Sequence, residues 1–130
     1  MTIQRINPEG VAAPVGVYCH LTVAPAGSRL LLLSGQVGVA PDGSVAASLE
    51  AQFDQALANI GAILASQGAS FADVVKVTYY LTERPADFGP IRASIARAFA
   101  EPTASTLLFV AGLAAPHLKV EIEAIAAVAG

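Results

Sequence analysis

Two glutamates near the carboxyl end of the chain have the residue type and spacing for acid–base chemistry. The segment 119–128 reads as a strand, and its first half alternates polar and apolar residues. In that pattern Glu121 and Glu123 share one face, while Val120 and Ile122 face the core. A carboxylate held in a cleft can take a proton from water. A solvated face of Lys and Glu side chains gives the same pattern, so the spacing alone leaves both interpretations open.

Other nucleophilic and metal-ligating residue types are sparse. Cys19, the single cysteine, stands beside His20, but neighbours on a strand point to opposite faces and do not form a catalytic pair. His20 shares a face with Tyr18, and His117 precedes the last strand as a candidate for a cleft rim. The sequence contains neither a metal-ligand spacing nor a phosphate-binding glycine loop. We therefore expect no metal and no cofactor.

The elements that must position these groups follow from the hydrophobic periodicity. Segments 18–23 and 29–36 are predicted strands, and the Pro, Gly and Ser residues between them indicate a hairpin. Apolar residues at spacings of three and four predict a helix that Ser48 caps and Gly68 ends. The remaining predicted elements are a strand at 74–82, a helix at 88–99, and strands at 105–110 and 119–128.

The predicted order β-β-α-β-α-β-β indicates an α+β domain that spans residues 1–130. Two helices of this length cover one face of a single mixed sheet and leave the other face to be covered. With 55% hydrophobic and 13% charged residues and a mean hydropathy of +0.61, the chain is very apolar for a monomer. Both features predict a closed homo-oligomer.

Composition also argues against several classes of partner and location. No apolar run approaches the roughly 18–20 residues of a membrane-spanning helix. The net charge is −3 and the seven Lys and Arg residues are scattered, which argues against a nucleic-acid partner. The amino terminus shows no secretory signal and the single cysteine cannot form an internal disulfide, so we expect a cytoplasmic protein.

Five segments, in order over nearly the whole chain, resemble the Rid/YjgF family. They are Gly16-Val17-Tyr18, Leu33-Ser34-Gly35-Gln36-Val37, Gln52 with Gln55-Ala56-Leu57-Ala58-Asn59-Ile60, Val74-Val75-Lys76-Val77-Thr78, and Val120-Glu121-Ile122-Glu123-Ala124-Ile125-Ala126. The resemblance implies a chorismate-mutase-like subunit, three of which pack their sheets into a barrel with small-molecule clefts between subunits. The best-known members hydrolyse reactive enamines and imines, such as 2-aminoacrylate, to 2-keto acids and ammonia.

The resemblance also assigns site residues. Glu121 matches the glutamate that positions water, and Tyr18 matches a tyrosine that completes the cleft; these are the candidate catalytic residues. Ser34 and Gly35 match a Ser-Gly pair that lines the cleft, where glycine permits close approach of the backbone to a ligand. The alternatives are a half-buried aromatic residue at 18 and a strand end that requires small residues at 34 and 35.

One departure concerns the substrate carboxylate. Where the family has an arginine in a Pro-Ala-Arg segment, this chain has Ala104. Loss of such a charge-assisted fork costs on the order of 2–5 kcal/mol in carboxylate binding, so the usual 2-imino acids should bind poorly. The hydroxyls of Ser105 and Thr106 remain as candidate substrate-binding groups.

A second departure offers a replacement. Arg92 stands on the second helix where the family often has an asparagine, and its guanidinium could turn into the cleft to supply the missing charge. The alternative is a surface arginine on the polar face of that helix.

Three functions therefore remain open. The first is an enamine or imine deaminase whose substrate differs from the usual 2-imino acids. The second is a trimer that binds a small molecule without turnover. The third, a chaperone-like role or RNA cleavage, has less support because the chain has no basic patch.

Overall fold

The structure, a computed structural model, describes residues 2–130. In this part of the chain a short 3-10 turn, Phe71–Asp73, precedes the fourth of six strands. The strands and helices are β1 Gln4–Ile6, β2 Leu21–Val23, β3 Arg29–Val37, α1 Leu49–Ala65, β4 Val74–Leu81, α2 Gly89–Ala98, β5 Ala104–Phe109 and β6 Val120–Val128.

Four of the strands form a mixed sheet in the order β3-β6-β4-β5. Strand β6 is antiparallel to both of its neighbours, whereas β4 and β5 are parallel. The two helices pack on one face of the sheet over a core that includes Phe53, Ile60, Leu64, Val77, Leu81, Ile91 and Ile122. The predicted α+β subunit, with two helices on one face of a mixed sheet, is confirmed.

The predicted hairpin between segments 18–23 and 29–36 is wrong. Strand β2 pairs instead with β1, which the sequence analysis did not predict, and β3 pairs with β6. Long-range contacts hold β1 in place: the Arg5 guanidinium donates to the carbonyls of Ala72 and Pro102 and pairs with Glu101 at 3.2 Å. Local turn residues reverse the chain, but they do not decide which strand becomes the partner.

Both ends of α1 follow the predicted capping chemistry. The Ser48 hydroxyl accepts a hydrogen bond from the Ala51 amide at 3.1 Å. The helix ends at Ala65, and one further turn leads to Gly68, whose φ of +69° is left-handed. A glycine adopts this conformation at no steric cost, so it ends the helical segment as expected.

The register of β6 sorts its side chains between the two faces of the sheet. Val120 and Ile122 are buried beneath the helices, while Glu121 and Glu123 lie on the face that the helices leave open. On β3, Leu32 lies on the same open face and is 75% exposed. No helix in the described part of the chain is long and apolar enough to cross a membrane.

Candidate functional site

A cleft of about 140 Å³ lies between α2 and the edge strand β5. Tyr18, Arg92 and Ser105 line it, although they come from three distant parts of the sequence. The other lining residues are Gly16, Val17, Tyr79, Phe88, Ile91, Ile95 and Leu107. Three side chains with a hydroxyl, Tyr18, Tyr79 and Ser105, and one guanidinium in an otherwise apolar cleft can orient a small polar molecule.

Two local contacts order Tyr18 at the cleft. Its amide donates to the carbonyl of Gly16 at 3.0 Å, and its hydroxyl accepts from the amide of Val15 at 3.4 Å. Its ring also meets the ring of His20 edge-on at 5.7 Å. His20 thus lies beside Tyr18, but both residues precede β2 and do not belong to the strand predicted for 18–23, and His20 is not one of the residues that line the cleft. The ring nitrogen of His20 forms a hydrogen bond with the carbonyl of Ala12.

Arg92 lies on the first turns of α2 at the exposed rim of the cleft. Its guanidinium lies 5.8 Å from the centre of the Phe88 ring. Among residues 2–130 it forms no ion pair, whereas Arg97 on the same helix pairs with Asp54 at 3.7 Å. The charge of Arg92 is therefore available to an anion that enters the cleft.

Tyr79 is a cleft residue that the sequence did not single out beyond its place in the predicted strand 74–82. It is 2% exposed, and its ring stacks on Phe53 at a centroid distance of 5.4 Å. Its hydroxyl is the one buried side-chain polar atom of residues 2–130 without a hydrogen-bond partner. Burial raises the pKa of Tyr79, so the group remains a donor. Nothing in the strand pattern of this segment revealed the unpaired hydroxyl.

A second group of predicted residues meets where β3 departs from its register with β6. The irregularity falls between Leu33 and Gln36, at Ser34 and Gly35. A Cβ atom on Gly35 would overlap the carboxylate of Glu121. Only glycine therefore leaves room for Glu121 in this position.

The cleft and the Gly35–Glu121 contact lie on different faces of the sheet. Tyr79 pairs in register with Ile122 on the helix side, whereas Glu121 pairs with Tyr80 on the open side. Because alternate residues of a strand point to opposite faces, Glu121 points away from the helix side where Tyr79 lies. One subunit therefore does not bring all of the predicted site residues together.

Ser105 and Thr106 are separated in the same way. Ser105 lines the cleft, but Thr106 points to the open face, where its hydroxyl accepts from the Lys76 ammonium at 2.8 Å. Next to that contact, the Tyr80 hydroxyl donates to Glu123. This hydrogen bond raises the pKa of Tyr80. The second glutamate of the pair is thus already engaged, while Glu121 lies against Gly35.

The remaining candidate residues have structural contacts. Cys19 is 2% exposed, with its sulfur near the carbonyls of Leu21 and Pro102. The backbone carbonyl of His117 accepts a hydrogen bond from the side-chain amide of the buried Gln52. No cluster of three or more His, Cys, Asp or Glu side chains suited to a metal ion occurs between residues 2 and 130.

Comparisons with known proteins identify the family. A sequence model of the Ribonuc_L-PSP family, described as Endoribonuclease L-PSP, matches residues 10–128. The chain is 35% identical over 128 residues to the 2-iminobutanoate/2-iminopropanoate deaminase of Escherichia coli, with 95% of this chain and 96% of that protein covered. It is 32% identical to the chloroplastic Reactive Intermediate Deaminase A of Arabidopsis thaliana, covering 93% of this chain but 64% of that longer protein.

Solved structures agree with the sequence matches. The Rid protein YyfB of Yersinia pestis, whose function is unknown, superposes with a TM-score of 0.89 at 34% identity, covering 98% of this chain and all of that one. RidA of Psychrobacter gives 0.70 at 31% identity, with 96% and 99% covered. With sequence and fold in agreement over almost its full length, this chain belongs to the Ribonuc_L-PSP family, also known as Rid/YjgF.

Proposed function

We propose that the protein is a deaminase that hydrolyses a small imine or enamine in a cleft between two subunits of a homotrimer. The observation that carries the proposal is the convergence of Tyr18, Arg92 and Ser105 on one cleft of about 140 Å³. Drug-sized ligands occupy roughly 300–1,000 Å³, so this cleft suits a small metabolite. Relatives named as imine deaminases support the reaction type.

Arg92 anchors a substrate carboxylate in this proposal. It is the cation at the cleft rim and it has no competing carboxylate among residues 2–130. Ala104, on β5, offers no charge of its own. The anchor thus acts from the helix side of the cleft, so a substrate lies in a different orientation from one held by an arginine on β5. This is the reason to expect a substrate other than the usual 2-imino acids.

The chemistry requires little beyond a positioned water and a base. Glu121 takes a proton from water as the oxygen bonds to the imine carbon, and a carbinolamine forms. Glu121 passes that proton to the nitrogen of the carbinolamine. As the carbon–nitrogen bond breaks, the carbinolamine hydroxyl gives its own proton to the nitrogen through Glu121, so that ammonia leaves and a carbonyl remains. An enamine first gains a proton on carbon to become the imine. The hydroxyls of Tyr18 and Ser105 orient the substrate.

Two subunits are needed because Glu121 and Arg92 belong to different sides of one sheet. In the proposed trimer the open faces pack together and cover the exposed Leu32, and a neighbour that also packs along the edge strand β5 brings its Gly35–Glu121 contact to the cleft beside that strand. Closed symmetry supplies three equivalent sites in this way.

A small molecule is also a better partner than RNA, despite the family description. Three of the seven cationic side chains are already in ion pairs, namely Arg5, Arg97 and Lys119. Phosphate contacts need free, clustered cations. The proposal requires no cofactor, and the free, buried Cys19 fits a reducing cytoplasm.

The proposal can be tested with imines that are generated in situ from a series of amino acids and amines. The release of ketone and ammonia measures the reaction. We expect Glu121→Gln to lower kcat by about 10²–10⁴-fold. Arg92→Gln should raise KM for imines with a carboxylate and leave neutral imines unaffected. Arg97→Gln, on the same helix, is the matched control.

Two results would contradict this assignment. If no imine reacts faster with the protein than without it, the deaminase proposal is wrong, and binding of a small carboxylate would then favour a trimer that binds without turnover. Equal loss of carboxylate binding in the Arg92 and Arg97 variants would remove Arg92 as the anchor.

A further inference from the structure

Tyr79 marks the inner end of the cleft. Exposure decreases from Arg92 at the rim, through the half-buried Tyr18 and Ser105, to Tyr79, which is 2% exposed. Its hydroxyl is the polar atom that the described residues leave without a partner. The cleft thus has a cation at its mouth and, at its inner end, Tyr79, whose hydroxyl is buried and unpaired, with apolar side chains between them.

An unpaired buried hydroxyl is costly, and a phenylalanine would avoid that cost. The ring of Tyr79 already stacks on Phe53, and a phenyl ring would keep that contact and the shape of the core. Nearly all buried polar groups in proteins are hydrogen-bonded. A donor that lacks a protein partner and lines a ligand cleft is best explained by an acceptor on the ligand.

We propose that Tyr79 determines specificity by selecting a small carboxylate that carries a hydroxyl or carbonyl oxygen at the end remote from its carboxylate. The inference rests on the proposed function, because Arg92 must hold the carboxylate at the rim. The remote oxygen then reaches the base and accepts from the Tyr79 hydroxyl. A substrate with an apolar end leaves that hydroxyl unpaired and binds less tightly.

Two stable keto acids test this selection. 2-Oxopentanoate and 4-hydroxy-2-oxobutanoate have the same number of non-hydrogen atoms and differ in whether the remote end is a methyl or a hydroxyl. Calorimetry on the full-length protein should give a Kd at least about 10-fold lower for the hydroxylated acid, because a site built around a hydrogen bond rejects the analogue that lacks it.

Tyr79→Phe should abolish that preference and at the same time raise the melting temperature, since it removes an unpaired buried hydroxyl. Tyr80→Phe is the matched control because its hydroxyl is already paired with Glu123 on the other face. The control should keep the preference and should not raise the melting temperature.

Each contrary result has a distinct meaning. Equal affinities for the two acids, both weakened by Arg92→Gln, would overturn the role of Tyr79 and leave the proposed carboxylate site standing. A lower melting temperature for Tyr79→Phe would overturn the inference, because it would show that the hydroxyl is paired in the assembled protein. Failure of both acids to bind the unmodified protein would overturn this inference and the carboxylate site together.

Discussion

At the residue scale, the contact between Gly35 and Glu121 shows how a missing side chain can position a functional one. The irregular register of β3 at Ser34 and Gly35 brings the backbone against the carboxylate. Because the side chain of Glu121 is flexible, a methyl group added at position 35 would displace its carboxylate more easily than it would displace the backbone of β3. The position of Glu121 therefore depends on a residue that performs no chemistry itself.

We expect Gly35→Ala to lower deaminase activity by about 100-fold, because a shift of about 1 Å in a catalytic group has an effect of this size. The melting temperature should change little, since the displaced carboxylate can move toward the open face. Gly112→Ala is the control because a Cβ there meets no atom within 4 Å. If kcat is unchanged in Gly35→Ala although the carboxylate of Glu121 has been shown to move, Glu121 does not take part in the reaction.

Tyr79 also predicts how stability depends on pH. Its pKa is raised in the folded protein from an unfolded value of 10.0. The unfolded chain therefore loses this proton first as the pH rises, and the contribution of Tyr79 to stability is complete below about pH 10 and declines above it. Urea unfolding at fixed protein concentration should show that Tyr79→Phe loses less stability between about pH 10 and 11 than the unmodified protein does. Parallel curves for the two proteins in that interval would contradict the prediction.

At the scale of elements, the long periodic segments were predictable and the strand partners were not. The spacing of apolar residues located α1, α2, β4 and β6, because each buries one continuous face. Strand β1 has only three residues, too few for a period, and its position depends on contacts of Arg5 with distant carbonyls. Local sequence patterns do not predict such long-range contacts.

The same limit applies to the candidate site. The family resemblance suggested Tyr18, Arg92 and Ser105, and the structure brings them to one cleft. The opposite orientations of Ser105 and Thr106 follow from strand alternation. Two aspects were not readable from sequence: which of these two residues faces the cleft, and the unpaired hydroxyl of Tyr79. Both depend on which face a given residue presents after register shifts and packing are complete.

Gln52 is the main polar link between α1 and the start of β6. It is 1% exposed, its amide nitrogen donates to the carbonyls of Ala46 and His117, and its oxygen accepts from the amide of Lys119 at 2.8 Å. These bonds fix the chain two residues before Glu121.

We expect Gln52→Leu to lower the free energy of unfolding by about 3 kcal/mol, because it leaves three part-buried backbone groups without this partner. Gln55→Leu, which removes one side-chain contact with Asn59, should cost less than about 1 kcal/mol. Denaturant unfolding of both variants measures the difference. Equal effects would show that the backbone groups find other partners.

At the scale of the whole molecule, the open face of the sheet is where the proposed trimer forms. Leu30 and Leu32 are 54% and 75% exposed on this face, beside the polar pair of Tyr80 and Glu123. An exposed apolar face of this kind favours association of subunits, because association removes it from water.

Leu32→Asp should therefore convert the trimer to monomers, because a charge would be buried in the interface. Light scattering coupled to size-exclusion chromatography measures the mass directly. Ala58→Asp, on the exposed side of α1, should leave the trimer intact. A trimeric Leu32→Asp protein would show that subunits associate through another surface.

The separation of Arg92 and Glu121 on opposite sides of the sheet has a genetic consequence. If each site takes its arginine from one subunit and its glutamate from the next, two variants that are each defective toward imines with a carboxylate complement each other when their subunits are exchanged. Random mixing of Arg92→Gln with Glu121→Gln subunits in equal amounts would restore about a quarter of the sites. Two defective alleles expressed in one cell would then yield a partly active protein.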